Sequence, residues 1–275
     1  MVIERSSAGD PARTLALLWR DPSAVPRRGP QRGLSLDTVV EAATSLADRE
    51  GLEAVTMRRV AQALRVAPMS LYTYVPGKAE LLDLMLDAAY ARMRRTATTG
   101  RPWRERLTAV ANENRALFGD HPWAAMVSTV RPLLGPGSIA KYEHELSALD
   151  GLGLTDVEMD DCLAHLLAFV QANARATIEV RTIQRDSAMN DGQMNDGQMN
   201  DEQMNDEQWW ATAGPLLAQV LDEQTYPLAT RVGGAAGAAH GSAYDPDHAY
   251  VFGLQRVLDG LACLINRSSR TDVRR

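Results

Sequence analysis

From Ala54 to Lys78 the chain carries Arg58, Arg59, Arg65 and Lys78 and not one acidic side chain. Guanidinium and ammonium groups on a surface free of carboxylates meet phosphate oxygens without repulsion, and an arginine can also grip a guanine edge with two parallel donors. Among them stand Thr56, Met69, Ser70, Thr73 and Tyr74. Such small, polar and aromatic groups suit base edges, thymine methyls and phosphates. The chemistry on offer is recognition of double-stranded DNA. Catalysis has no comparable set: His121, His144, His165, His240 and His248 form no His-Glu-x-x-His pair, and no Gly-x-Ser-x-Gly or phosphate-binding glycine loop is present. No catalytic residue, metal site or cofactor is therefore expected. Cys162 and Cys263 lie in apolar helical patterns and read as two buried thiols.

The charge balance fits this reading once it is divided. The whole chain has 275 residues and a formal charge of −6, but residues 1–95 hold 14 basic and 11 acidic side chains, a net of +3, leaving −9 for the remainder. A basic part able to approach DNA and an acidic part that stays clear of it are implied. Hydrophobic residues make up 45% of the chain, and no run approaches the ~20 apolar residues of a membrane span. Leu15-Ala16-Leu17-Leu18-Trp19 is too short for a signal peptide. A cytoplasmic protein without a membrane partner is expected.

The elements that must position these groups read as helices throughout. Residues 1–32, rich in Pro, Arg and Ser and including Arg27, Arg28 and Arg32, read as a flexible basic arm. Residues 33–78 read as a three-helix DNA-binding domain. Leu36, Val39, Val40, Ala43, Leu46 and Ala47 give its first helix one apolar face, Thr56 caps a second helix with Met57, Val60, Ala61 and Leu64 inward, and Pro68 opens a third that ends near Val75. The last two, separated by three or four residues, have helix-turn-helix spacing, with Leu71 and Val75 turned to the core and Pro68, Met69, Ser70, Thr73 and Tyr74 outward. Residues 79–100 form a connecting helix, and 101–270 a second helical domain with helices near 102–119, 123–131, 137–151, 155–186, 208–225 and 246–266. Within it, residues 189–208 repeat a Met-Asn-Asp-Gly/Glu-Gln pentapeptide four times and read as a mobile insert, since a five-residue period leaves no face to bury. Gly233–Gly237 reads as a flexible link.

The run Thr56-Met57-Arg58-Arg59-Val60-Ala61 through Met69-Ser70-Leu71-Tyr72-Thr73-Tyr74-Val75-Pro76-Gly77-Lys78-Ala79-Glu80-Leu81-Leu82 resembles the DNA-binding domain of the TetR family of transcriptional regulators. Phe252-Gly253-Leu254-Gln255-Arg256-Val257-Leu258-Asp259-Gly260 is similar to the last helix of the branch with a tetracycline-repressor-type C-terminal domain. The resemblance implies an all-α fold and a homodimeric repressor on a palindromic operator. It implies that Arg58 reads a guanine, that Thr56 and Tyr72 touch the DNA backbone, that Met69, Ser70, Thr73 and Tyr74 face the groove, and that Lys78 grips phosphate. Arg65 stands where many members have glycine, and Ala67 where many have a capping residue.

The long helix at 155–186 carries two apolar lines, Met159, Leu163, Leu166, Leu167, Val170 and Ala174 on one side and Phe169, Asn173 and Thr177 on another. A helix buried on two sides needs two partners, which the resemblance names as the dimer mate and an effector pocket. Asn114, Trp123, Met126, Phe169, Asn173, Thr177 and Trp210 are the candidate lining, polar groups set in apolar and aromatic surroundings that fit a hydrophobic, flat or multi-ring effector. Control of an export or resistance gene follows from such an effector. The alternatives are an activator, or a DNA-binding regulator without any small-molecule effector.

Overall fold

The computed structural model describes residues 4–21, 34–191, 206–241 and 244–272. Among these residues every extended element is a helix, and the single β-bridge joins Arg5 to Ser128. By their contacts they form two units, Met1–Ala174 with Arg256–Arg275, and Arg175–Gln255.

The first unit begins with a correction. The arm expected to be flexible over residues 1–32 contains helix α1 (Pro11–Leu18), opened by Asp10, whose side chain accepts from the Arg13 amide, and by Pro11 in the first turn. Leu17 and Leu18 are buried, which ties the helix down. Arg27, Arg28 and Arg32 lie outside the described residues. Helix α2 (Leu36–Glu50) is capped by Ser35, buries the predicted apolar face, and stops at Gly51, whose φ of 81° lies in the left-handed region. It packs against α3 (Met57–Leu64) and α5 (Lys78–Arg92), and α3 packs in turn on α4 (Pro68–Tyr72).

Helix α5 is enclosed by α1, α2 and α8 (Pro136–Ser147), and buries Leu81, Leu82, Leu84, Met85, Leu86 and Ala89. A helix apolar on most sides is one that neighbours surround. Its approach to α8 is tight: a Cβ at Gly137 would stand 2.1 Å from the Asp87 carbonyl oxygen. Helices α6 (Trp103–Asp120) and α7 (Pro122–Met126) pack together. Helix α7 is shorter than the expected 123–131, because at Val127 the backbone turns extended and Ser128 pairs with the N-terminal segment.

Helix α9 (Asp156–Asp191) opens with a capping box, Thr155 and Glu158 each accepting from the other's amide. It continues past the expected end near 186. Of the pentapeptide insert, residues 192–205 lie outside the described residues. Helix α10 (Asp206–Val220) follows. Gly233–Gly237, expected as a flexible link, is instead part of α11 (Pro227–His240), started by Pro227 at the first helical position. A Cβ at Gly237 would come within 2.8 Å of the Trp210 indole nitrogen, so the missing side chain is what lets the ring lie against α11. Helix α12 (Pro246–Asp272) is capped by Asp245, which accepts from the amides of Asp247 and His248. Its Cys263 is exposed, a correction to the expectation of two buried thiols; Cys162 is buried.

Candidate DNA-binding surface and effector region

The turn between α3 and α4 is built from backbone. Thr56 caps α3 by accepting from the Arg59 amide. At its other end Arg65 takes φ 56°, ψ 40°, and the amides of Arg65 and Val66 return to the carbonyls of Gln62 and Ala61. This is a Schellman closure, ordinarily made with glycine. Ala67 offers no side-chain cap, and α4 starts instead on Pro68. The regular helix closes at Tyr72, short of the expected Val75, but the Val75 amide still reaches the Leu71 carbonyl at 2.9 Å and adds a last turn.

Leu71 and Val75 are fully buried and fix α4 to the body. Tyr74 is corrected: expected to face the groove, it is 6% exposed, and its hydroxyl meets no hydrogen-bond partner among the described residues. The reason is periodicity, since residues 71, 74 and 75 share one face of a helical turn. The outward surface is therefore Pro68, Met69, Tyr72 and Thr73, with Ser70 half-covered; Met69 is 76% exposed. Thr56, Arg58, Arg59 and Arg65 are exposed beside it. Arg59 is held by Glu50. Lys78 begins α5, and its Nζ lies 2.6 Å from Glu4 Oε1.

Two buried acids on α5 had no counterpart among the expected residues. Asp83 is fully buried, accepts from the Ser7 amide at 2.8 Å, and its other oxygen has no partner among the described residues. Burial raises its pKa to about 6, against the Ser7 amide, with Glu80 raising it further. Asp87 accepts from the amides of Gly137 and Ser138 at the start of α8, at 3.2 and 2.8 Å. It too is raised by burial, which those two amides oppose. Both residues look like ordinary helix-surface acids in the sequence, and only the Gly135-Pro136-Gly137 run hints at a close approach.

The effector candidates divide. Asn114 and Trp123, expected to orient a ligand, direct their donors into the protein. Asn114 Nδ2 gives 2.6 Å to Glu145 Oε1 and 3.0 Å to the Val110 carbonyl. Glu145 in turn receives Lys141 Nζ at 2.7 and 2.8 Å. Trp123 is buried and donates to Asp48 of α2 at 2.7 Å. Asn173 and Thr177 on α9 are buried, and Phe169 and Met126 are half-buried. In the second unit, Trp210, Leu217, Leu221, Asp222, Glu223 and Thr230 are among the residues lining a cavity of about 480 Å³ between α10 and α11, within the size range of small-molecule sites. Among the described residues no group of His, Cys, Asp and Glu side chains could hold a metal ion, and no helix is long and apolar enough to cross a membrane.

Comparison with known proteins agrees with this architecture. Residues 39–85 match the family described as bacterial regulatory proteins, tetR family, and residues 96–265 match the tetracyclin repressor-like C-terminal domain. The transcriptional repressor DrrR1 of Streptomyces coeruleorubidus is 40% identical over 263 residues, covering 95% of this chain and 89% of that protein. A transcriptional regulator of Saccharopolyspora erythraea is 38% identical over 142 residues, covering 51% of this chain and 59% of its own length. Among solved structures, the TetR family protein ActR of Streptomyces coelicolor in complex with actinorhodin superposes with a TM-score of 0.65 at 25% identity, covering 84% of this chain and 97% of that one. The relatives are regulators that bind DNA rather than enzymes, and this chain belongs to the TetR family of DNA-binding transcriptional repressors.

Proposed function

We propose that the protein works in the cytoplasm as a homodimer that represses transcription from a palindromic operator and leaves it when a hydrophobic small-molecule effector binds. Residues 33–78 would form the DNA-binding domain, 79–100 the connection and 101–270 the dimerisation and effector domain. The observation that carries the reading is the split of α4: Leu71, Tyr74 and Val75 inward, Met69, Tyr72 and Thr73 outward, beside the exposed Arg58 and Arg65 on an acid-free stretch. A helix held from behind with small and aromatic groups in front fits the major groove. Arg58 then reads a guanine, Met69, Ser70 and Thr73 face bases, and Thr56, Tyr72 and Lys78 take phosphates.

Exposed apolar side chains Val251 and Phe252 of α12 support a helical dimer seam. Effector release is supported by the buried polar Asn173 and Thr177 beside Phe169 on one face of α9, by the cavity at Trp210, and by the actinorhodin bound to ActR. A multi-ring compound fits such a lining, and a neighbouring export or resistance gene fits such a compound.

The test is titration of the protein onto the DNA flanking its own gene. Arg58→Ala should cost ~1–3 kcal/mol and relax preference at one base pair per half-site, while Lys78→Ala should weaken all sequences alike. Specific binding unchanged in both variants would remove the assignment.

A further inference from the structure

We propose that the N-terminal segment Glu4–Ser7 is an internal competitor for DNA, with the Glu4 carboxylate holding Lys78 in the place of a DNA phosphate. The inference rests on the reading of Lys78 as a phosphate contact. Glu4 Oε1 sits 2.6 Å from Lys78 Nζ, and both side chains are about one-third exposed, at 32% and 34%. Lys78 is the first residue of α5, whose N-cap Gly77 supplies no side-chain acceptor. An anion there gains from the ammonium, and a carboxylate and a phosphate gain alike. The two anions cannot share one ammonium at full contact.

A free glutamate on a mobile tail would be a weak rival. Glu4 is anchored. Its carbonyl accepts from the Ser128 amide at 3.0 Å, and the Ser6 amide returns to the Ser128 carbonyl at 3.0 Å. Ser6 is 1% exposed, with Oγ donating to the Arg131 carbonyl at 2.7 Å and to Ser128 at 3.2 Å. Ser7 donates its amide to Asp83 and its hydroxyl to the Pro132 carbonyl at 3.1 Å. The strap thus lies on α5 on one side and on residues 128–132 of the effector domain on the other. Holding it there sets Glu4 on Lys78 before DNA arrives, so the ordering entropy is already spent. Because the anchor belongs to the effector domain, a rearrangement that seats 128–132 more firmly strengthens Glu4 against DNA, and DNA binding loosens the strap by the same factor.

The experiment measures binding of the full-length protein to a labelled mixed-sequence duplex, which reads the phosphate contribution without a known operator. Glu4→Gln keeps the side chain's shape and removes its charge, and it should tighten binding about two- to fivefold per protomer, the scale of a partly exposed ion pair. Ser6→Ala leaves the charges alone, loosens the anchor, and should shift binding in the same direction by a smaller factor. Both gains should vanish in a Lys78→Ala background, which separates competition at Lys78 from a general loss of negative charge. Equal affinity of Glu4→Gln and wild type, or an equal gain with and without Lys78, overturns the proposal. Should Lys78→Ala alone leave duplex binding unchanged, the phosphate reading of Lys78 fails first, and the competitor with it. An effect of Glu4→Gln without one from Ser6→Ala overturns the anchored form.

Discussion

Glu145 is 1% exposed, takes Lys141 Nζ on both oxygens at 2.7 and 2.8 Å, and receives the Asn114 amide at 2.6 Å. Replacing it by leucine takes the carboxylate partner from Lys141, a residue only 8% exposed. Breaking a buried pair from one side costs ~3–5 kcal/mol; the residual exposure of Lys141 places the expectation near ~3 kcal/mol. At ~2–4 °C per kcal/mol for a chain of this size, Glu145→Leu should melt roughly 6–12 °C below wild type. The paired change Lys141→Met with Glu145→Leu removes both charges and should recover most of that loss, because an apolar pair of similar volume is close to neutral against a buried ion pair. Thermal unfolding followed by far-ultraviolet circular dichroism at neutral pH gives both numbers. A single variant melting within a degree or two of wild type, or a double variant no better than the single, would refute the reasoning. The network also reaches α5: Lys141 Nζ lies 5.2 Å from the centre of the Tyr90 ring. Burial raises the pKa of that tyrosine, with the charges of Glu145 and Asp87 adding to it, so it is a neutral phenol at any ordinary pH.

Two further outcomes follow from strained or buried groups near the helix-turn-helix. Arg65→Gly should release up to ~1 kcal/mol of left-handed strain at φ 56° and raise the melting temperature a few degrees, while the lost guanidinium weakens DNA binding; a lower melting temperature counts against it. Asp83 has its pKa raised from 3.8 to about 6, so its contribution to stability is fully present below 3.8 and is lost as pH rises through about 6. Asp83→Asn keeps an acceptor for Ser7 and removes that loss, adding about 1–3 kcal/mol at neutral pH and flattening the melting temperature between those two values; an unchanged pH profile would exclude Asp83 as the source.

The helix-turn-helix was legible because its signals are local. Thr56 caps, Pro68 starts, and Leu71 with Val75 marks the buried side, each within a few residues of what it controls. Tyr74 was misread although the same period contains it: its residue type fits DNA contact, but its position, three after Leu71, puts it inside. The N-terminal strap was not legible, since Ser6 and Ser7 bond to residues more than 120 positions away. Asn114 and Trp123 show a different limit. A polar group in an apolar stripe looks the same whether its acceptor is a ligand or, as here, Glu145 and Asp48. Gly233–Gly237 failed for a third reason: a ring from α10 makes use of the bare backbone that helix propensity penalises.

Helix α5 collects these attachments along its length. Lys78 meets the strap's Glu4, Asp83 holds Ser7, Asp87 holds the first amides of α8, and Tyr90 lies under Lys141. From Lys78 to Tyr90 such a helix spans about 18 Å at its ~1.5 Å rise per residue. A tilt of only ~5° about one end therefore moves the other by about 1.5 Å, more than a charge-assisted hydrogen bond tolerates. The Asp87 attachment has little slack to absorb such a tilt, because a single added carbon at Gly135 or Gly137 would already stand about 2 Å from Asp87. A displacement of α8 should therefore carry α5 with it at Asp87. The strap, bonded to α5 through Glu4 and Ser7 and to residues 128–132 through Ser6 and Ser7, gives Lys78 a second attachment to the rest of this unit.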